Sequence, residues 1–286
     1  MKKVNICKVV GKDAKVSRGW LSSHKYLILR RLSQLSILGL FLLGPWFGIW
    51  IVKGNLSSSL TLDTLPLTDP FVLLQSVFAG HSIATDALIG ALIILVFYLL
   101  IGGRVFCSWV CPVNIITDSA SWLRCRLGIK TNSGGVSSKT RYWLLATIML
   151  VSLITGSIVW ELINPVSMLH RGIIFGMSFG WFLIVLLFLF DVFVVKNGWC
   201  SRICPMGAFY SLLGKFSMLR VNASRRDACT DCLECFIVCP ESQVINPALK
   251  GTKSPIVLDS NCTNCGRCID ICEPKVFSYS SRIKRN

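Results

Sequence analysis

The sequence predicts a polytopic α-helical membrane protein, with four transmembrane helices arranged as a duplicated two-helix unit and a cysteine-rich C-terminal α+β domain on the cytoplasmic side. Three observations predict it. The 286 residues are 53% hydrophobic and only 15% charged, whereas soluble domains carry about a quarter charged residues. Apolar runs near bilayer-spanning length recur through the first two thirds of the chain. Two matching cysteine runs close it, "CTDCLECFIVCP" at 229–240 and "CTNCGRCIDICEP" at 262–274.

Residues 1–32 read as a basic cytoplasmic tail. The first 31 carry nine Lys/Arg and one acid, Asp13. No apolar stretch there ends in a small-residue cleavage site, so the first apolar segment is expected to stay as an anchor. Residues 33–215 read as the membrane domain. Spans are expected at 33–52, 85–103, 142–162 and 175–195, each close to the roughly 20 residues a bilayer core needs. Pro45 is placed to kink the first. "FVLLQSVFAG" (71–80) is too short to span and is expected at the interface. Trp46, Trp50 and Trp160 read as interfacial belt residues. Residues 216–286 form the C-terminal domain.

Of 30 Lys/Arg, 28 fall in the N-terminal tail, the loop 104–141 and the tail from 196 onward. The positive-inside rule then puts both termini in the cytoplasm of a bacterial inner (cytoplasmic) membrane protein. This distribution accounts for the net charge of +16 without a nucleic-acid partner.

Cys229, Cys232, Cys235 and Cys239-Pro240 have the spacing C-x2-C-x2-C-x3-C-P, and Cys262, Cys265, Cys268 and Cys272 repeat it ahead of Glu273-Pro274. This is the two-cluster ferredoxin signature, in which each fourth cysteine crosses to the other cluster. One [4Fe-4S] cluster is therefore assigned to Cys229, Cys232, Cys235 and Cys272. The other is assigned to Cys262, Cys265, Cys268 and Cys239. Structural zinc prefers two separated pairs, and disulfides are disfavoured in a reducing compartment. Gly266 lies inside the second loop, where backbone passes close to the cluster.

A second pair of motifs, Cys107-x3-Cys111-Pro112 and Cys200-x3-Cys204-Pro205, repeats at an offset of 93 residues. "TDPFVLL" (68–74) and "INPVSML" (163–169) form a fainter echo, each pairing a capping residue with a first-turn proline. Cysteines at i and i+4 share a helix face. The two pairs are thus candidates for a four-thiolate iron or zinc site, for two dithiol switches, or for plain packing. Cys7 and Cys125 stand apart and read as idle thiols.

The sequence names no catalytic residue. Polar groups in or beside apolar spans are the candidates for a quinol or proton site: Asp191 in the fourth span, Glu161 and His170 beyond the third, and His81 with Asp86 before the second. A haem-attachment C-x-x-C-H motif is absent.

"LGPWFGIW", "SSSLTLDTLPLTDP", "FCSWVCP", "NPVS" and "GWCSRICP", with the two terminal cysteine runs, resemble the NapH-type family of periplasmic nitrate reductase systems over nearly the whole chain. The resemblance implies the membrane component of a quinol dehydrogenase. In that role two [4Fe-4S] clusters take electrons from the quinol pool of the lipid bilayer towards nitrate reductase. The implied partners are a periplasmic ferredoxin-type protein, NapG-like, and a membrane cytochrome c. Two other roles compete: electron supply for maturation or reactivation of a partner metalloenzyme, and a scaffold that recruits the periplasmic subunit.

Overall fold

The computed structural model describes residues 10–129, 136–176, 180–251 and 254–282. Two short helices, α1 (Lys12–Arg18) and α2 (Trp20–Ser23), lead into α3 (Lys25–Phe47). α3 runs 23 residues, contains Pro45, and stops at Gly48 in the left-handed region. Among the described residues, α3 alone is long and apolar enough to cross a membrane, by length and composition.

That finding overturns the expected four transmembrane helices and the multi-pass topology built on them. α5 (Thr85–Ile101), α7 (Thr140–Thr155) and α10 (Gly180–Phe193) have 17, 16 and 14 residues. At 1.5 Å per residue they measure about 25, 24 and 21 Å, short of a hydrocarbon core of about 30 Å. The apolar runs outlast the helices because glycines end them. Gly102 caps α5 at φ 144°, and Gly156 caps α7 at φ 62°. After Gly156 the chain restarts as a separate helix, α8 (Val159–Ile163).

Residues 52–68 form a three-stranded antiparallel meander of β1 (Val52–Gly54), β2 (Ser58–Thr61) and β3 (Leu65–Thr68). "SLTLDTLPLT" alternates polar and apolar residues as a half-buried strand pair does. The helix that follows is α4 (Pro70–Phe78), one face of which is buried. Phe71 and Gln75 are fully buried, and Phe71 packs against Trp160 and Phe209. Trp46 and Trp50 are exposed, but Trp160 is a core residue and not part of a belt.

The internal repeat survives as a repeat of helix–loop modules. α4 in the first copy matches α9 (Pro165–Phe175) in the second, each with proline in its first turn. Asp69 caps the first by accepting from Phe71 N–H at 2.7 Å, and Asn164 the second from Val166 N–H at 3.1 Å. α5 matches α10. Each is followed by a π-helical turn, Phe106–Val110 or Trp199–Ile203. Then come α6 (Val113–Arg126) and α11 (Pro205–Gly214). The copies meet in one apolar core around Tyr98, Phe106, Trp160 and Tyr210.

The C-terminal segment has its own core of Val221, Val244, Ile245, Val257, Val276 and Phe277. An antiparallel ribbon of β4 (Leu219–Asn222) and β5 (Ser278–Ser281) closes it. Between them lie α12 (Glu234–Val238), α13 (Asn246–Leu249) and α14 (Arg267–Ile271). This unit also grips the start of α3. The Asp270 carboxylate accepts from Tyr26 and Leu27 N–H at 3.1 and 3.0 Å, capping the positive end of a helix 243 residues away.

Candidate metal centres

The two ferredoxin-type runs adopt the same loop. In "CTDCLEC" Asp231 and Leu233 have φ 53° and 60°; in "CTNCGRC" Asn264 and Gly266 have φ 48° and 73°. Left-handed residues between consecutive cysteines curl the backbone so that three thiols face one point. Glycine takes this conformation without strain, and at 266 it has a second reason. A Cβ there would lie 2.5 Å from the Tyr26 ring.

Each loop encloses a cavity with the ligand set the spacing implies. Cys229, Cys232, Cys235 and Cys272 line one of about 370 Å³. Cys239, Cys262, Cys265 and Cys268 line another of about 430 Å³. The fourth cysteine of each run thus crosses to the other centre.

The chemistry of these thiols fits a cationic cluster core. Burial pushes Cys262 up to about 11 and Cys235 up to about 12, and neighbouring cysteines add to the rise in both. Close-packed buried thiols resist ionisation until a metal compensates their charge. Cys265 differs. Burial raises it, but the Arg267 and Arg30 guanidinium groups outweigh burial and hold it below the ordinary thiol value. Among the described residues no three His, Cys, Asp or Glu side chains converge closely enough for a single metal ion.

The Cys107/Cys111 and Cys200/Cys204 motifs come together. All four line a third cavity of about 380 Å³, with Trp160 and Pro165. They do not sit on regular α-helix. Cys111 and Cys204 leave their π turns extended, with N–H groups bonded five residues back to Phe106 and Trp199 carbonyls at 2.9 Å. π turns of this kind concentrate at functional sites. Cys125 is not idle: it is disulfide-bonded. Cys7 lies outside the described residues.

Buried arginines join the C-x3-C-P region to the ferredoxin unit. Arg104, three residues before Cys107, donates to Glu241 Oε1, Asn261 O and Cys200 O, each at 2.8 Å. Arg141 donates to the same Glu241 oxygen at 2.6 Å and to Ser201 O at 2.9 Å. Ser108 and Trp109 donate to Thr263 O and Asn264 O inside the second ferredoxin loop, at 2.7 and 3.0 Å. Sequence reading singled out none of these residues, since an Arg in a basic loop carries no sign of its burial.

The predicted quinol and proton candidates do not converge. Asp191 is buried and accepts from Trp199 N–H at 3.0 Å. Glu161 accepts from Ser57 at 3.0 Å and lies 4.0 Å from Arg171. His170 is buried edge-on against Phe41, and His81 is exposed. No hydrogen bond or ion pair joins any two of them among the described residues. The missed residue is Asp69, read only as a cap. Burial pushes its carboxyl up to about 7, against hydrogen bonds from Phe71 N–H and the Tyr210 hydroxyl.

The paired cluster loops and their crossed cysteines define a ferredoxin-type [4Fe-4S] electron-transfer protein. Models of a 4Fe-4S dicluster domain match residues 222–273 and 197–245, and a model of a 4Fe-4S binding domain matches residues 83–130. The methylamine utilization ferredoxin-type protein MauN of Paracoccus denitrificans is 53% identical over 95% of both chains. The ferredoxin-type protein NapH is 49% identical in Escherichia coli, over 95% of both chains, and 47% in Haemophilus influenzae, over 97% of both. No solved structure matches the chain. The chain belongs to the family of ferredoxin-type proteins that includes NapH and MauN.

Proposed function

We propose that the chain is the membrane-associated electron-transfer component of a quinol dehydrogenase, passing electrons through two [4Fe-4S] clusters towards a periplasmic ferredoxin-type partner. The observation that carries this reading is the docking of the ferredoxin unit on the apolar body through the buried Arg104–Glu241–Arg141 triad. Electron transfer needs fixed, short distances between centres. A buried triad fixes them better than a surface contact does, because parting it strands three charges.

Membrane association rests on α3 and on the outward apolar residues of the shorter helices, such as Leu92 and Val96 on α5 and Phe182 and Leu186 on α10. A broad cleft beside α3 suits a quinol ring. Its walls include Leu27, Trp122, Leu123 and Phe188, and Arg31 and Asp118 supply polar contacts. It reaches Arg267 and Ile271 of the ferredoxin unit. Bound clusters supply one-electron storage at potentials set by burial and hydrogen bonds to sulfur. The protein's part is to hold eight thiolates, screen them with Arg267 and Arg30, and exclude water.

The two groups of relatives carry different system names, and MauN is as near as NapH. Delivery to nitrate reductase therefore stands beside electron supply for maturation of a partner metalloenzyme. Anaerobic addition of menadiol to the purified chain tests the quinol step. Reduced-cluster signals in electron paramagnetic resonance support it. Clusters that dithionite reduces but menadiol never does, with or without the periplasmic partner, overturn it.

A further inference from the structure

The ferredoxin runs account for eight cysteines. Cys107, Cys111, Cys200 and Cys204 remain, as free thiols. They come from two copies of one module, 93 residues apart, yet line one cavity. Like each of the two ferredoxin cavities, it is lined by four cysteines. As at the ferredoxin loops, no three of its side chains are grouped closely enough for a single metal ion among the described residues.

We propose that Cys107, Cys111, Cys200 and Cys204 ligate a third [4Fe-4S] cluster, with each half of the internal repeat supplying two thiolates.

Four further observations support it. Cys204 caps α11, which Pro205 leads, and Cys111 directly precedes the Pro112 that caps α6; the N-terminal ends of both helices favour negative charge. Gly207 N–H already donates to Cys204 Sγ at 3.4 Å. Arg104, fully buried, holds the Cys200 carbonyl at 2.8 Å and supplies a positive charge beside the thiolates. Trp160 lines the cavity, and its buried Nε1–H has no partner among the described residues. A cluster sulfur is an acceptor of the kind that this N–H lacks.

The position gives the site a role. A cavity of about 350 Å³ lies between this centre and the second ferredoxin centre. Cys107 and Cys200 line its one side, and Pro240, Glu241, Thr263 and Arg267 its other. The third centre lies in the core of the apolar body, where Pro165 also lines its cavity. Four thiols lose their protons to bind the core. After that, one electron arriving from a neighbouring centre reduces it by one unit, and the same electron leaves for the next centre with no further bond made or broken. This inference does not depend on quinol being the donor.

Iron and acid-labile sulfide counted on the anaerobically purified chain, with Mössbauer spectra, test it. Three clusters give about 12 iron atoms per chain, and the Cys111→Ser/Cys204→Ser variant drops to about 8. Retention of both ferredoxin signals in that variant shows that it folds. If it does not fold, the wild-type count decides alone. About 8 irons in the wild type, or one zinc bound at these cysteines, overturns the proposal. Failure of menadiol to reduce any cluster leaves the iron count, and so this inference, untouched.

Discussion

Arg104 and Glu241 meet at 2.8 Å with both side chains buried, one from the loop that leads into the first C-x3-C-P motif and the other from the residue pair after Cys239. Arg141 shares the same carboxylate oxygen at 2.6 Å. One acid thus ties the apolar body to the ferredoxin unit. Glu241→Gln leaves two buried guanidinium groups without a counter-charge. It is expected to destabilise the folded chain by about 3–5 kcal/mol, read as a fall in the denaturation midpoint with early loss of iron. An unchanged midpoint contradicts the role given to the triad.

The crossed ligand sets predict which variants pair. Cys272→Ser is expected to abolish the same paramagnetic signal as Cys229→Ser, although the two cysteines belong to different runs. Cys239→Ser is expected to abolish the one lost in Cys262→Ser. Loss by run, with Cys272 grouped with Cys262, contradicts the crossing.

Asp69 predicts a pH effect of definite sign. Its carboxyl is raised to about 7 in the fold, above its ordinary value of 3.8. Between those values the folded state holds the proton and the unfolded state releases it, so this group's contribution to stability declines as pH rises from about 4 to 7. Asp69→Asn removes the titration and keeps the cap, since Asn164 fills the matching place in the second copy. The variant's thermal midpoint minus that of the wild type is expected to be larger at pH 8 than at pH 5. Equal differences at the two pH values contradict the raised carboxyl.

Gly103 lies where a Cβ would come within 2.3 Å of Gly214 N and Tyr210 O. Those are backbone atoms that cannot swing away. Gly103→Ala is expected to cost about 1–3 kcal/mol or more by overpacking α11 against the loop after α5, measured by chemical denaturation. A neutral result contradicts this packing.

The ferredoxin unit was legible because cluster ligation imposes a spacing on the sequence itself. The convergence of Cys107, Cys111, Cys200 and Cys204 was half legible: the 93-residue repeat showed two equal motifs, but only packing shows that they share a cavity. The four-span reading failed for a definite reason. Hydropathy reports where apolar residues continue, and it does not report that Gly102 and Gly156 end the helices within those runs. Trp160 misled in the same way, because an indole at a helix end reads as a belt residue until its burial is known. Arg104, Arg141 and Asp69 escaped notice because the partners that fix their roles lie far away in the chain.

The most direct test of the account follows the path of the electron. Freeze-quenched menadiol reduction is compared in the wild type and in Cys265→Ser, a variant that keeps Cys229, Cys232, Cys235 and Cys272. If electrons pass through the centre of Cys239, Cys262, Cys265 and Cys268 to that of Cys229, Cys232, Cys235 and Cys272, the variant retains the latter cluster, which dithionite reduces and menadiol does not. Reduction of that cluster by menadiol at the wild-type rate would contradict the path.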